Sequence, residues 1–302
     1  MSSRPDCTED RVGLGWRGEL AAGILANLDR IDLVELIADD HYHASAPNLR
    51  ALRTLSTQLP VSLHGVAMGL ASTVPVEQKH LDNMARLVDA LRPESWSEHL
   101  AFVRGGGVEI GHLAAPPRTA QSVEGCLANI TRAEKTVGSS PALENIATLI
   151  DPPASTLGEA EWITRIICGS NASLLLDLHN LYANALNFGE DPTALMLAMP
   201  LDKVSSVHLS GGKWIAEPGD SAKQRLLDDH VHDVPPEVFA LLTVLAQKLP
   251  QSLTVIIERD GNYPVFDALL SQVDAAREAL LCGRRMRNRA ASPMLLAASG
   301  CP

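Results

Sequence analysis

Eight short and mainly apolar stretches recur along the chain, and longer stretches with helical spacing of apolar residues lie between them. The clearest is residues 173–177, Ser-Leu-Leu-Leu-Asp, whose length and composition are typical of a buried strand. The predicted strands are 12–17, 31–37, 60–65, 95–102, 142–146, 173–177, 203–212 and 253–260. Strands that alternate with helices in this way predict an α/β fold with a single (β/α)8 barrel, the TIM barrel.

One barrel domain is predicted for residues 1–282, because no internal repeat or linker indicates a second domain. Residues 283–302 hold four arginines followed by small and apolar residues, and we expect a mostly disordered tail there. The Gly-rich residues 104–107 and the following 108–121 are expected to be loops that wall a site.

The charge and the cysteines narrow the classes of function. A net charge of −11 over 302 residues lacks the basic footprint that nucleic-acid binding requires, so nucleic acid is not an expected partner. The five cysteines form no Cys-x-x-Cys pair, which favours a reducing, cytoplasmic location over a disulfide framework. Residues 1–10 do not resemble a signal peptide and no apolar run has transmembrane length, so no membrane partner is expected.

Histidine, carboxylate and amide side chains recur at or just after the C-terminal ends of the predicted strands. These residues are His64, His99, Glu144, Asp177, Asn180, His208 and Glu258. Because the active site of such a barrel lies at the C-terminal ends of its strands, we expect these side chains to converge at one mouth. Asp228 and His230 would reach the same mouth from the segment after the seventh strand.

Any one of these side chains could be an ordinary polar residue, but their convergence poses an electrostatic problem. Carboxylates and imidazoles crowded into one mouth repel or desolvate one another unless cations lie between them. Two or three divalent metal ions would resolve the problem, and mixed nitrogen and oxygen ligands suit iron, zinc or manganese without selecting among them. No cysteine stands at a strand end, which argues against a thiolate site.

Seven short motifs occur in a fixed order along the chain. They are Ser62-Leu-His-Gly65, Ser97-Glu-His-Leu-Ala-Phe102, Leu143-Glu-Asn145, Leu176-Asp-Leu-His-Asn-Leu-Tyr-Ala-Asn184, Val207-His-Leu-Ser-Gly211, Asp228-Asp-His-Val-His232 and Ile257-Glu-Arg-Asp260. Over roughly residues 11–280 this series resembles the multinuclear non-haem iron-dependent oxidative enzymes (MNIO), which belong to the xylose-isomerase-like TIM barrels. The combination of motifs, rather than any single one, makes the resemblance specific.

The resemblance implies a centre of two or three iron ions in mixed valence, with O2 as co-substrate. Enzymes of this family oxidatively modify residues, often cysteine, of ribosomally synthesised precursor peptides (RiPPs) in natural-product biosynthesis. They commonly act with a small partner protein that binds the leader peptide. The implied metal ligands here are His64, His99, Glu144, Asp177, Asn180, His208, Asp228, His230 and Glu258. Asp260 and His232 are the candidate catalytic residues, which would orient ligands or relay protons.

Three positions depart from the family pattern without removing an implied ligand. His179 stands where the family often has asparagine, Gly212 where it often has histidine, and Arg259 where it often has tryptophan. On a regular strand His179 would face away from its two neighbours, so we expect it to pack or to support the ligands rather than bind metal.

Other classes of protein stay open from the sequence alone. A metal-dependent sugar isomerase, or an endonuclease IV-like phosphodiesterase, could use the same barrel with zinc, manganese or magnesium and without O2. In such phosphodiesterases a histidine would stand at the place of Asn180, so this asparagine and the acidic net charge favour the oxidative enzyme. A non-catalytic barrel would bind no metal, which the nearly complete ligand set disfavours.

Overall fold

The structure is a computed structural model and describes residues 9–217 and 220–298. Its strands are β1 (Arg11–Gly15), β2 (Val34–Ile37), β3 (Val61–Gly65), β4 (Ser95–His99), β5 (Phe102–Gly105), β6 (Val108–Ala114), β7 (Ala142–Glu144), β8 (Ser173–Asp177), β9 (Val204–Leu209), β10 (Gly212–Glu217), β11 (Asp220–Asp228) and β12 (Thr254–Ile257). Its α-helices are α1 (Ala21–Ala26), α2 (Ala46–Leu55), α3 (Gln78–Leu91), α4 (Ala120–Val137), α5 (Glu159–Cys168), α6 (Leu178–Phe188), α7 (Pro192–Ala198), α8 (Pro236–Lys248) and α9 (Phe266–Ala298). Short 3-10 helices lie at Gly18–Leu20, Asp39–His41 and Leu201–Lys203.

Eight of the strands close into a parallel barrel. Their order around the barrel is β1, β2, β3, β4, β7, β8, β9 and β12, and β12 pairs back onto β1. Sequential parallel strands with helices in the crossovers are the arrangement of a TIM barrel. All eight predicted strands are present, so the predicted single (β/α)8 barrel is confirmed.

The helices cover the outside of the barrel with apolar stripes. On α3 the residues Leu81, Met84, Leu87 and Leu91 follow one another at helical spacing, and all four are buried. Strand β8 is covered on both faces, which is why it is almost entirely apolar. Truncation of such a buried leucine to alanine typically costs about 2–5 kcal/mol of stability.

Two hairpins stand outside the barrel, and one lies where we expected loops. Strands β5 and β6 pair antiparallel, and Gly106 and Gly107 turn between them with φ of 59° and 80°. Two residues with positive φ form the tight turn whose twist suits antiparallel strands. The expected loop over 108–121 is therefore wrong for 108–114, which form β6. Strands β10 and β11 form the second hairpin, after β9.

The chain continues as a helix where we expected a disordered tail. Residues 283–298 extend α9, which differs from that expectation. Gly283 lets α9 approach α8, since a Cβ there would lie 2.3 Å from a carbonyl oxygen of α8. Arg284 then binds the carboxylate of Asp10, which fixes the helix against the start of the barrel. The end of the predicted tail, 299–302, lies outside the described residues. Within the described ranges, no helix is both long enough and apolar enough to cross a membrane.

Candidate metal centre

Six predicted ligands stand at the C-terminal ends of six different barrel strands. They are His64 on β3, His99 on β4, Glu144 on β7, Asp177 on β8, His208 on β9 and Glu258 directly after β12. The strand register sets His99 beside Glu144 and Asp177 beside His208. The structure thus brings these side chains together at one mouth, almost entirely out of contact with solvent.

Glu144 lies at the middle of this cluster. Its Oε2 atom is 3.3 Å from the Nε2 atoms of both His64 and His99, and its Oε1 atom is 3.4 Å from Nδ1 of His208. Two groups of donor atoms share this carboxylate, and the donors of each group lie within 4.8 Å of one another. The groups are His64, His99 and Glu144, and Glu144, Asp177, His208 and Glu258. If metal ions were bound, Glu144 could supply a ligand to both groups.

Hydrogen bonds set the protonation of two of the histidines. The hydroxyl of Ser97 donates to a backbone carbonyl, so its oxygen accepts the Nδ1–H of His64 at 2.8 Å. The carbonyl oxygen of Gly65 accepts the Nδ1–H of His99 at 3.2 Å. When either ring is neutral, its proton is on Nδ1 and its Nε2 carries none, which is the form of imidazole that binds a metal.

Asp177 and Asn180 present oxygen atoms to the same cluster. Asp177 caps α6, and its Oδ1 atom accepts the backbone N–H of Asn180 at 2.7 Å. The side-chain amide of Asn180 donates to the carbonyl oxygen of Asn145 at 3.0 Å. One oxygen of each side chain, Oδ2 of Asp177 and Oδ1 of Asn180, stays buried without a hydrogen-bond partner within the described part of the chain.

Asp228 and His230 reach the mouth from the β10–β11 hairpin. Asp228 ends β11, and its Oδ2 atom lies 2.8 Å from Nε2 of His230. The Nδ1–H of His179 donates to the other oxygen of Asp228 at 2.7 Å, in keeping with the expected supporting role. Nδ1 of His230 is 3.6 Å from Oε2 of Glu258, which links this pair to the barrel ends.

The two candidate catalytic residues occupy different surroundings. One oxygen of Asp260 accepts from the guanidinium of Arg17 at 2.9 Å, and the other lies 3.2 Å from Nδ1 of His230. His232 instead bonds to Asp229 at 2.8 Å, and 44% of its side chain is exposed. The structure therefore brings Asp260, but not His232, to the predicted ligands.

Buried polar atoms without hydrogen-bond partners mark the centre. Among the residues that the structure describes, they include Glu144 Oε2, Asp177 Oδ2, Asn180 Oδ1, His208 Nδ1 and Nε2, His230 Nε2 and Glu258 Oε2. Each such atom costs about 1–3 kcal/mol when it stays unpaired, so a concentration of them needs an explanation. Bound cations provide one, and this set of nitrogen and oxygen donors fits a multinuclear metal site.

The buried carboxylates and imidazoles of the cluster shift one another's pKa values in different directions. Burial, and then the carboxylate of Glu144, raise the pKa of Asp177 well above its usual value. Burial would raise the pKa of Glu258 as well, but His208 outweighs it and holds that pKa well below its usual value. Burial would lower the pKa of His99, but Glu144 outweighs it and raises that pKa to about 9. Metal ions relieve such conflicts because they neutralise the carboxylates and take up the imidazoles in their bare form.

An open cavity of about 1230 Å³ leads from the cluster to the surface. Five predicted ligands form its floor, namely His99, Glu144, Asn180, Asp228 and His230. Its walls are mainly apolar and include Phe102, Val103 and Leu113 from the β5–β6 hairpin and Ile146, Leu149 and Ile150 from the segment after β7. Within the described residues, neither lysine nor arginine lines this cavity.

Glu35 was absent from the predicted ligand set and lies against the cluster. It is buried on β2, with Oε1 at 2.9 Å from Nε2 of His208, while its other oxygen accepts the hydroxyl of Ser62 at 3.2 Å. A lone carboxylate within the apolar run 33–37 is the sequence signal that could have identified it.

The loop 66–68 forms one rim of the cavity and is held from two sides. Asp39 accepts the first two backbone N–H groups of the loop at 2.8 and 3.2 Å, and Glu98 accepts the third at 2.6 Å. Arg104 of β5 donates to two carbonyl oxygens of the same loop at 2.6 and 3.1 Å. These three residues thus fix the loop that follows His64, and no local sequence pattern predicts their convergence.

Solved structures share this architecture. An L-ribulose 3-epimerase has a TM-score of 0.59 and 16% identity, over 97% of this chain and 100% of that one. A D-psicose 3-epimerase from Clostridium cellulolyticum H10 has a TM-score of 0.57 and 10% identity, over 92% of this chain and 99% of that one. Identities this low show the fold alone, which is that of a TIM barrel.

The family follows from the sequence. The family described as RiPP precursor modification enzyme MbnB/TglH/ChrH matches residues 11–281. The chain belongs to this family, which confirms the resemblance to the MNIO enzymes. A UPF0276 protein from Acaryochloris marina is 29% identical over 92% of this chain and 97% of its own length. Another, from Streptomyces avermitilis, is 31% identical over 89% of this chain, which spans 55% of that longer relative.

Proposed function

We propose that this protein is an oxidase that uses two or three iron ions in mixed valence, and O2, to modify residues of a RiPP precursor peptide, cysteine foremost. The main support for this proposal is the position of Glu144. Its carboxylate belongs to two groups of nitrogen and oxygen donors and lies at the floor of an apolar cavity. A shared carboxylate between two ligand groups supports ions held close enough to act on one substrate.

The proposed ligands fall into an inner and an outer set. The inner set is His64, His99, Glu144, Asp177, His208 and Glu258, and the outer set is Asn180, Asp228 and His230. Bound iron would supply the electron transfer to O2 and the binding sites for O2 and a substrate thiolate. Imidazole and carboxylate ligands with buried surroundings are suited to iron in such a role.

The cavity supports a peptide as the substrate better than a sugar. At about 1230 Å³ it exceeds the roughly 300–1,000 Å³ that is usual for small-molecule pockets. Its apolar walls offer few partners for sugar hydroxyls, and the absence of lysine and arginine among its described lining residues disfavours a phosphorylated ligand. An extended peptide with uncharged, apolar residues beside the modified one fits these walls.

Asp260 is the side chain we assign to orientation and proton transfer. Burial would raise its pKa, but the hydrogen bond with His230 and the charge of Arg17 outweigh this and hold the pKa below its usual value. Asp260 is therefore ionised at neutral pH and orients the ring of His230, and we assign to it the relay of a proton between His230 and solvent. We do not assign such a role to His232, because it bonds to Asp229 away from the cluster.

The remaining parts of the proposal come from the family. A small separate protein would bind the leader of the precursor peptide and deliver the rest of it to the cavity. The enzyme would work in the cytoplasm, where cysteines of the precursor are reduced before modification.

The test begins with protein purified without O2. Elemental analysis and Mössbauer spectroscopy are expected to find two or three iron ions per chain, and an oxygen electrode is expected to detect O2 uptake only when the precursor peptide is present. The peptide to use is a short cysteine-containing chain encoded beside this protein. Protein that fills with zinc alone and cleaves abasic DNA, or interconverts sugars without O2, would contradict the proposal.

A further inference from the structure

His179 is a fully buried imidazole outside the predicted ligand set. It lies in the first turn of α6, between Asp177 and Asn180, and its exposed fraction is 0%. Its Nδ1–H donates to Oδ1 of Asp228 at 2.7 Å. A side chain of the barrel wall thus reaches across to the hairpin that carries Asp228.

Two donors converge on one oxygen of Asp228. Besides His179, the hydroxyl of Ser210 donates to the same Oδ1 atom at 3.0 Å. The second oxygen, Oδ2, is turned towards Nε2 of His230 at 2.8 Å. Because Oδ1 is occupied by two hydrogen bonds, the carboxylate can offer only Oδ2 to an ion beside His230.

The fold makes room for this imidazole at Gly212, the first residue of β10. A Cβ at Gly212 would lie 2.7 Å from Cε1 of His179 and 2.2 Å from the carbonyl oxygen of Leu227. Real Cβ atoms do not approach other atoms so closely, so only glycine at this position lets the ring lie between α6 and the hairpin.

The hairpin needs such an anchor because it does not belong to the barrel sheet. Strands β10 and β11 pair only with each other among the described strands. The inner ligands are placed by the register of the barrel strands, whereas Asp228 is placed by the end of β11. The hydrogen bond from His179 therefore ties the outer ligands to the helix turn that also carries Asn180.

We propose that His179 is a positioning residue that fixes Asp228, so that Asp228 and His230 complete the outer metal position. The inference rests on the metal centre of the proposed function, but it depends on neither iron nor O2. The inference predicts that the two ligand sets lose metal independently. Without the imidazole of His179, the ion at the outer set is lost and the ions at the inner set stay bound.

Zinc alone is a sufficient probe, because it needs no redox chemistry. Metal-free full-length protein is titrated with Zn²⁺, and the ions retained per chain are counted by elemental analysis after gel filtration. His179→Phe keeps the ring volume and removes the donor, and it is expected to retain one ion per chain fewer than the wild type. His179→Asn keeps an N–H donor close to the position of Nδ1 and is expected to restore most of the lost binding. Loss of a hydrogen bond that orients a ligand typically lowers metal affinity about 10–100-fold.

The cobalt spectrum separates positioning from a general loss of structure. In Co²⁺-loaded protein, His179→Phe is expected to remove the absorption of one ion and leave that of the others, whereas a merely unstable variant would lose all of them together. His43→Phe, at an exposed histidine that does not line the cavity, is the matched control and is expected to keep every ion.

Several outcomes would overturn the inference. If His179→Phe does not fold, Gly212→Ala tests the same contact from the hairpin side, and a full number of ions in that variant contradicts the proposal. Wild-type ion number in His179→Phe, or equal loss in His179→Asn and His179→Phe, also contradicts it. Wild-type protein that binds no zinc contradicts the metal centre and this inference together. Iron-loaded protein that never consumes O2 contradicts the oxidase alone, since the zinc count does not depend on it.

Discussion

Asn145 and Asp177 are joined by two hydrogen bonds, each 2.9 Å long. The side-chain amide of Asn145 donates to the carbonyl oxygen of Asp177, and the backbone N–H of Asp177 donates to Oδ1 of Asn145. Asn145 follows β7 and Asp177 ends β8, so the pair continues the sheet by one step beyond the last residues of β7. Glu144 and Asp177 are thereby held side by side at the mouth.

Asn145→Ala is expected to lower the free energy of unfolding by about 2–4 kcal/mol, because it leaves a buried N–H and a buried carbonyl unpaired. Urea unfolding of the metal-free protein measures this loss directly. Asn171→Ala is the control, since Asn171 is exposed and bonds only at the surface, and it is expected to change stability by no more than about 0.5 kcal/mol. Equal stability of the two variants would contradict the role of the pair.

Glu144→Gln is expected to empty the inner metal positions, because both groups of donors depend on this carboxylate. The loss of affinity is expected to exceed the roughly 10–100-fold that is typical for losing a partner of a ligand. Elemental analysis after dialysis gives the number of ions. Glu109→Gln, at the exposed rim of the cavity, is expected to keep them all. Full metal content in Glu144→Gln would show that neither group of donors depends on this carboxylate.

Ala147→Trp is expected to block substrate entry while leaving the metal ions bound. Ala147 lines the cavity, and an indole at this position would fill space next to the floor. Metal content should match the wild type, and peptide modification followed by mass spectrometry should fall at least about 100-fold, as when a reacting group is displaced. Leu197→Trp on α7, at an exposed position, serves as the control. Wild-type turnover by Ala147→Trp would mean that the substrate enters elsewhere.

Asp39 is expected to make stability depend on pH. Burial, and then the charge of Glu98, raise its pKa from 3.8 to about 6. The folded protein therefore keeps this proton at pH values where the unfolded chain has released it. The resulting stability is fully present below about pH 3.8 and is lost as pH rises through about 6. The loss is at most about 3 kcal/mol, and less because water reaches part of the carboxyl group.

Asp39→Asn cannot titrate, so its free energy of unfolding should fall less steeply than that of the wild type between about pH 4 and pH 6. Urea unfolding of both proteins across this range measures the two slopes. Parallel slopes would show that the carboxyl of Asp39 keeps an ordinary pKa in the folded protein.

The barrel and most of its mouth could be predicted because each depends on local signals. A strand such as 173–177 is apolar because it is buried on both faces, and the topology of a parallel barrel then dictates where its last residue lies. His64, Glu144 and Asp177 were placed in this way without knowledge of any contact. The same reasoning failed for 108–114, because pairing across a Gly-Gly turn outweighed the loop-like composition of that segment.

The supporting contacts could not be predicted, since they join residues that are distant in sequence. Asp39, Glu98 and Arg104 come from three separate segments and meet at the loop 66–68. Glu98 stands in the motif 97–102, but nothing in that motif indicates this contact. His232 was a candidate for orienting ligands or relaying protons, and its side chain turns to Asp229 rather than to the predicted ligands. Sequence spacing fixes the position of a backbone more readily than the direction of a side chain after a turn.

The pairing of β1 with β12 has a consequence for how the centre is assembled in time. Val12 lies beside Val255, so the ring of strands cannot close before the segment that carries β12 has been synthesised. Glu258 follows the last strand to be synthesised, and the proposed ligands before it span most of the chain. Contacts between such distant segments form late in folding. A nascent chain would therefore hold an incomplete set of the proposed ligands until the segment that carries Glu258 has emerged, and the complete set could bind metal only after that point.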